Sequence, residues 1–348
     1  MKKILSLFFA IVLIVSISLP TASANTKELE VHFIDVGQGD ATLVKAPGGK
    51  TMLVDGGPRS AGKDVVAYLK AKGVKSLDYV VATHPDADHI GGLINVLNSI
   101  PVKNFIDSGK AHTTDTYYEM LTLVDKKNIK YHVPTVGKTY QLDPKMNLEV
   151  LYANESATDN NDASIVLKMI YNKVSFLLMG DASVEIEDAL MATTNVTATV
   201  LKAGHHGSNT SSSAKFISNV KPKVGILSYG KNNSYGHPHV AIPSRLKNVG
   251  AKVYETAKHC NIIVKTDGIK HTVTTDCSKP SATPVKTTKP APKVTPVKTT
   301  PVKTTKPATR TNFKNCTDLR TVYPAGVGKG HPAYQSKMDR DKDGWACE

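Results

Sequence analysis

This chain of 348 residues has little cysteine and, beyond Leu19, no long apolar run. A helix that spans a bilayer needs about 20 predominantly apolar residues, so nothing after Leu19 reads as a transmembrane segment. The one apolar run, Ile4 to Leu19 apart from its serines, is itself short for a span. It follows Lys2 and Lys3 and precedes Ala22-Ser23-Ala24. Basic, apolar and small residues in that order make a secretory signal peptide, with cleavage expected after Ala24; a membrane anchor is the alternative. On the first reading residues 1–24 are no part of the fold, and the mature protein is secreted or held at the cell surface.

The scarcity of cysteine makes the four present informative: Cys260, Cys277, Cys316 and Cys347. Outside the cell they favour disulfides. The even count permits Cys260–Cys277 and Cys316–Cys347, each within one segment. The first pair flanks a hairpin-like stretch, NIIVKTDGIKHTV, with a Thr-Asp-Gly turn at 266–268. Sequence does not fix the connectivity.

A third absence is local. Residues 278–310 hold no acidic residue and almost no large apolar one, while PVKTT recurs at 284–288, 296–300 and 301–305. Such a segment cannot bury enough surface to fold, and its prolines keep it extended. It reads as a disordered, cationic linker, either a plain tether or an attractor of anionic wall polymer or DNA. It also explains most of the net charge of +14, which would otherwise suggest a nucleic-acid binder: the linker contributes +8, the leader +2 and the tail from Thr311 +1. Residues 25–277 therefore carry only +3.

That stretch of about 250 residues is long enough for a substantial core. LEVHFIDV, ATLVKA and TMLVDGG read as strands, followed by a helix near 63–72, a strand DYVVAT and a helix from Ile90 to Leu97. The second half repeats the logic with ASIVLKMIY, VSFLLMGDA, a helix near 184–191, TVLKAGHHGS and VGILSYG. Strand runs that end in Asp, His or Gly, alternating with helices, indicate a layered α/β domain with a loop-built site on one sheet edge.

The densest chemistry lies in THPDADHIGG, residues 83–92, directly after the apolar run 79–82. His84, Asp86, Asp88 and His89 offer the nitrogen and carboxylate ligands that suit zinc or manganese. Residues two apart can share one ion, whereas Asp88 and His89 can turn to a second. Gly91 and Gly92 let a helix begin close by. Four ligands cannot complete two sites, so others must converge. Asp181 in MGDA, a lone carboxylate at a strand end, suits a bridge between two cations. His205 and His206 in GHHGS supply paired imidazoles, and Asp55 in LVDGG could orient a ligating histidine. His237, in SYGHPH, follows another strand end.

THPDADHIGG resembles the HxHxDH signature of metallo-β-lactamase fold hydrolases, with Asp86 in place of the second histidine. With DVGQGDATLV, GDAS, GHHGS and the Tyr/Gly-His-Pro run, it is similar to the ComEC-like branch, which includes the soluble domain of the bacterial DNA-uptake channel and related secreted hydrolases. The likeness spans about residues 28–270. It implies a four-layer αβ/βα sandwich and a binuclear centre, with His84 and Asp86 on one metal, Asp88, His89 and His205 on the other, and Asp181 between them. One family histidine is missing: NNDASIVL, where it would stand, offers only Asn161 or Asp162. Two cations lower the pKa of a shared water and clamp a phosphate or carbonyl oxygen. The catalytic candidates are Asp88, His206 and His237, the histidines as proton sources for a leaving alkoxide, with Lys202 as a nearby charge.

In the tail, Asp339, Asp341 and Asp343 followed by Gly344 match the first half of a calcium loop, D-x-D-x-DG, with Glu348 at position ten instead of twelve. FKNCTDL, GKGHPAY and this short loop resemble the excalibur domain. The resemblance implies calcium binding over residues 311–348 and a Cys316–Cys347 staple. The whole reads as an exported, two-metal hydrolase of phosphodiesters, nucleic acid first and a teichoic-acid-type wall polymer second, with lactone or β-lactam hydrolysis third. The rival is a surface-binding protein whose hydrolase domain has lost activity. Oligomeric state is not legible.

Overall fold

A computed structural model describes residues 28–278, 311–320, 327–329, 332–339 and 345–347. The expected signal peptide, the linker beyond Ser278, and Asp341, Asp343 and Glu348 lie outside the described residues. No helix among the described residues is long and apolar enough to cross a membrane.

The first sheet opens with β1 (Leu29–Phe33), β2 (Thr42–Lys45), β3 (Thr51–Val54), β4 (Leu77–Ala82), β5 (Val102–Asp107) and β6 (Lys130–His132). The chain then crosses to the second sheet: β7 (Thr139–Tyr140), β8 (Met146–Tyr152), β9 (Val166–Tyr171), β10 (Val174–Leu178), β11 (Val200–Lys202), β12 (Val224–Leu227) and β13 (Lys252–Glu255). It returns with β14 (Asn261–Thr266) and β15 (His271–Asp276). Strand orders are β15-β14-β1-β2-β3-β4-β5-β6 and β13-β12-β11-β10-β9-β8-β7. From β3 to β6 and from β10 to β13 the pairing is parallel.

Period-two alternation sorts the strand residues between layers. Leu29, Val31, Phe33 and Val81 meet Phe176, Leu178, Val200 and Ile226 in a core between the sheets. On the outer face of the first sheet, Leu43, Leu53, Val80 and Ala82 pack under helices Gly62–Ala71, Leu93–Ser99 and Asp115–Lys126. Leu177, Met179 and Leu201 do the same under Val184–Thr193, Ala214–Val220 and Ala241–Asn248. The result is the four-layer αβ/βα sandwich expected from the sequence. The expected single helix Ile90–Leu97 is instead two short ones, Ala87–Ile90 and Leu93–Ser99. Between them a Cβ on Gly92 would stand 1.9 Å from the carbonyl oxygen of Gly56, so only glycine lets this turn sit against the end of β3.

Cys260–Cys277 closes the β14–β15 hairpin, and Cys316–Cys347 staples the tail. The tail has its own small core of Phe313, Leu319, Val327, Ala333 and Met338.

Charge also ties the first sheet together. Glu30 on β1 accepts from Lys265 on β14 (2.8 Å), Lys45 on β2 (3.3 Å) and His32 (3.1 Å). Burial alone would raise its pKa, but these donors outweigh burial and hold it at about 2. The folded value lies below the unfolded one, so this carboxylate stabilises the fold above roughly pH 4.5 and ceases to as pH falls through about 2. Because the group is partly solvated, its effect is about 1 kcal/mol. Glu30→Gln should lower stability by that amount at pH 7 and leave it unchanged near pH 2, as read by denaturant melts across pH.

Candidate metal centre

Five loops meet at one edge of the sandwich because they leave the carboxyl ends of neighbouring parallel strands, where open α/β sheets gather their sites. Asp55 follows β3, the THPDADH run follows β4, Asp181 follows β10, His205 and His206 follow β11, and the loop carrying His237 follows β12. Asp40 joins them because β2 runs antiparallel to β3, with Thr42 opposite Val54, so its start shares that edge. A backbone bond from Ile165 N to Thr83 O (2.9 Å) links the two sheets there.

Four histidines hold Nδ1 by a hydrogen bond and turn Nε2 to the centre. His89 Nδ1 lies 2.8 Å from Asp55 Oδ2, and Asp55 also accepts from Thr83 N (2.9 Å) and Thr83 Oγ1 (2.8 Å). His206 Nδ1 donates to the Ser228 carbonyl (3.0 Å), and His205 Nδ1 meets Thr210 Oγ1 (2.8 Å). His84 Nδ1 lies 3.1 Å from Thr83 Oγ1. Asp55, His205 and His206 reach these positions with φ of 57°, 46° and 53°. Left-handed backbone in such residues costs energy and persists only where surrounding structure enforces it.

At the centre, Asp181 Oδ2 lies 3.3 Å from His89 Nε2, 3.3 Å from His206 Nε2 and 3.9 Å from His205 Nε2. His206 Nε2 is also 3.2 Å from Asp88 Oδ2 and 3.3 Å from His89 Nε2. His84 Nε2 is 3.7 Å from Asp86 Oδ2, whose other oxygen accepts from Asn160 Nδ2 (2.7 Å). Two ligand atoms held about 2.0–2.1 Å from one tetrahedral ion lie roughly 3.3 Å apart. The spacing among His89, His206 and Asp181 is therefore that of ligands around a cation, with Asp88 beside His206. His84 Nε2, Asp181 Oδ1, Asn161 Oδ1 and Asp162 Oδ1 are buried without a hydrogen-bond partner. Unsatisfied buried acceptors are costly, and a divalent ion at Asp181 would satisfy the second oxygen of that carboxylate. The residues present fit a metal site.

Without an ion, the charges of the centre are balanced among its own side chains. Burial pushes the Asp181 carboxyl up, yet the imidazoles of His206 and His89 outweigh burial and hold it well below the usual carboxylate range. Burial favours neutral His89 and His206, but the Asp181 carboxylate and its neighbours raise both well above 6.5. His84, buried and next to His89, falls to about 4. At the rim, burial and the facing histidines hold His237 at about 4.

The structure brings His84, Asp86, Asp88, His89, Asp181, His205 and His206 together, with His237 at the rim. Asp339 lies apart in the tail, buried and accepting from Tyr334 Oη. Sequence reasoning gave Asp40 no role, although it stands in the quoted DVGQGD run. Asp40, His89, Asp181 and His206 offer ligand atoms within 4.8 Å of one another. Asp40 reaches His206 at Nδ1 (3.5 Å), behind the converging Nε2 atoms, and Lys202 Nζ pairs with it at 2.6 Å. It acts as a buttress to His206 more than as a ligand. Asn160, which holds Asp86, was also missed.

If Asp55 sets the His89 tautomer, Asp55→Asn should weaken divalent metal binding about tenfold to a hundredfold. Chelator competition with zinc or manganese would show it; unchanged affinity would dismiss the role.

Comparison with known proteins agrees with this geometry. Residues 34–231 match the family model of the Metallo-beta-lactamase superfamily, and residues 313–348 that of the Excalibur calcium-binding domain. The chain is 33% identical over 256 residues to ComE operon protein 3 of Bacillus subtilis, covering 68% of this chain and 33% of that protein. Against Recombination protein 2 of Haemophilus influenzae it is 30% identical over 260 residues, covering 73% and 30%. With Competence protein ComA of Neisseria gonorrhoeae it shares 31% identity over 232 residues, covering 66% and 31%. It thus spans about a third of the length of these relatives. With its two-sheet fold and a centre of histidines and carboxylates at the strand ends, the chain belongs to the metallo-β-lactamase superfamily, in the ComEC-like branch, and carries an Excalibur domain behind it.

Proposed function

We propose that this protein is an exported phosphodiesterase that uses two divalent transition ions, zinc or manganese, to cleave nucleic acid. The observation that carries this reading is Asp181. One of its oxygens faces three imidazoles while the other is buried without a partner. That arrangement suits a carboxylate shared between two cations. His89, His206 and Asp88 would hold one of them with His205 near; His84 and Asp86 would hold the other, with Asn161 or Asp162 in the segment where the family histidine is missing.

When bound, such ions polarise a phosphate ester and activate water for attack on it. The chain's own side chains do the positioning. Asp55 and Ser228 fix the rings of His89 and His206. Asn160 steadies Asp86. His206, fully enclosed with Nε2 among the ligands, fits a ligand better than a proton donor. His237, neutral and half-buried, remains as the group at the rim that can hydrogen-bond a departing oxygen.

Two relatives named for recombination and competence favour nucleic acid as substrate, and the +8 linker would add attraction to phosphates without adding chemistry. The Excalibur tail favours an extracellular setting and calcium, which Asp339, Asp341, Asp343 and Glu348 would hold. A teichoic-acid-type wall polymer is the alternative substrate, since the same chemistry would cleave its phosphodiesters.

Full-length protein loaded with manganese or zinc should hydrolyse single-stranded DNA and a bis-nitrophenyl phosphate reporter. Asp181→Asn should reduce kcat by at least about a hundredfold, a loss typical of a disrupted metal-catalytic group. Loaded protein that leaves DNA intact but releases phosphate esters from wall polymer would refute the nucleic-acid reading and keep the hydrolase.

A further inference from the structure

Tyr235 is 65% exposed, yet it lines the same cavity of about 110 Å³ as Asp86, Asp88, Asp181 and His206. Its ring lies nearly parallel to that of His237, at 21° with centroids 5.6 Å apart. His237 packs in turn edge-on against His205 (5.5 Å) and His239 (5.4 Å). One face of the tyrosine is thus backed by imidazole, and the residue as a whole stays open to solvent at the mouth of the metal centre.

Hydrogen bonds fix the backbone of the loop that carries this ring. Asn233 Oδ1 accepts from the backbone N–H groups of Tyr235 (3.1 Å) and His237 (2.9 Å). Its Nδ2 donates to the carbonyls of Gly230 (2.9 Å) and His237 (2.7 Å). Gln38, from the loop before β2, accepts from Gly230 N (3.1 Å) and so ties the loop to the opposite sheet. An exposed aromatic ring on a pinned loop has little conformational freedom left to lose when a flat ligand covers it. Tyr118 and Tyr131 are also exposed, but neither lines this cavity.

We propose that Tyr235 is a stacking platform for a nucleobase next to the scissile phosphate, and that it selects nucleotides over base-free phosphodiesters. Every base presents a π-face, so the platform would tolerate any sequence while rejecting a polymer of sugar or polyol phosphates alone. This rests on the phosphodiesterase reading above and adds to it the feature of the substrate that is recognised.

The test compares two substrates of equal length and charge on the metal-loaded, full-length protein. One is a single-stranded deoxyoligonucleotide, the other an oligomer of tetrahydrofuran abasic phosphates. The base-bearing strand should have a KM about tenfold lower, within the range of one stacked base. Tyr235→Ala should bring the ratio of the two KM values close to one, and Tyr235→Phe should keep it, since the ring and not the hydroxyl carries the contact. Cleavage of both oligomers with equal KM, or a preference that survives in Tyr235→Ala, overturns the platform and leaves the phosphodiesterase. Failure of the loaded wild-type protein to cleave either oligomer overturns the platform together with the nucleic-acid reading on which it rests.

Discussion

A buried negative charge organises this molecule. Asp181 is 3% exposed and keeps its carboxylate ionised far from bulk water. Such a charge persists only where positive groups or metal ions meet it, because isolated burial would neutralise it. Everything around it meets that demand: two imidazoles at 3.3 Å, a third at 3.9 Å, and the loops of two sheets drawn to one edge. The strained backbone at His205 and His206 and the glycine contact between residues 56 and 92 serve the same convergence.

The supporting contacts show how the fold fixes chemistry at a distance. Asp55 never reaches the centre, yet it couples the end of β3 to the ring of His89 and to Thr83, just past the end of β4. Ser164 links the second sheet to the same place, accepting from Asp181 N at 2.9 Å and lying 3.4 Å from His84 Nδ1. Lys202 balances Asp40 behind His206. These polar groups are almost wholly enclosed, and their hydrogen bonds specify one arrangement of the loops.

Much of this was legible in the sequence because strand ends announce themselves: an apolar run closed by Asp, His or Gly. The THPDADH, GDAS and GHHGS runs identified the converging residues, and LVDGG gave Asp55 its orienting place. Asp40 escaped because its part depends on an antiparallel partner bringing the start of β2 to the edge, which no local pattern encodes. The different burial of His205 and His206 is not encoded locally either: the left-handed turn encloses His206 while leaving His205 partly open. The helix Asp115–Lys126 carries a local signal as well, with Thr114 as its cap and Tyr117, Met120 and Val124 as its buried stripe.

The central claim is that this charge cluster exists to hold metal. Anomalous diffraction from crystals of the intact protein, collected at the zinc and manganese edges after metal loading, tests it most directly. Two peaks about 3.5–4 Å apart on either side of Asp181 are expected. A loaded crystal with no peak at Asp181, its carboxylate simply ion-paired to His89 and His206, would contradict the account.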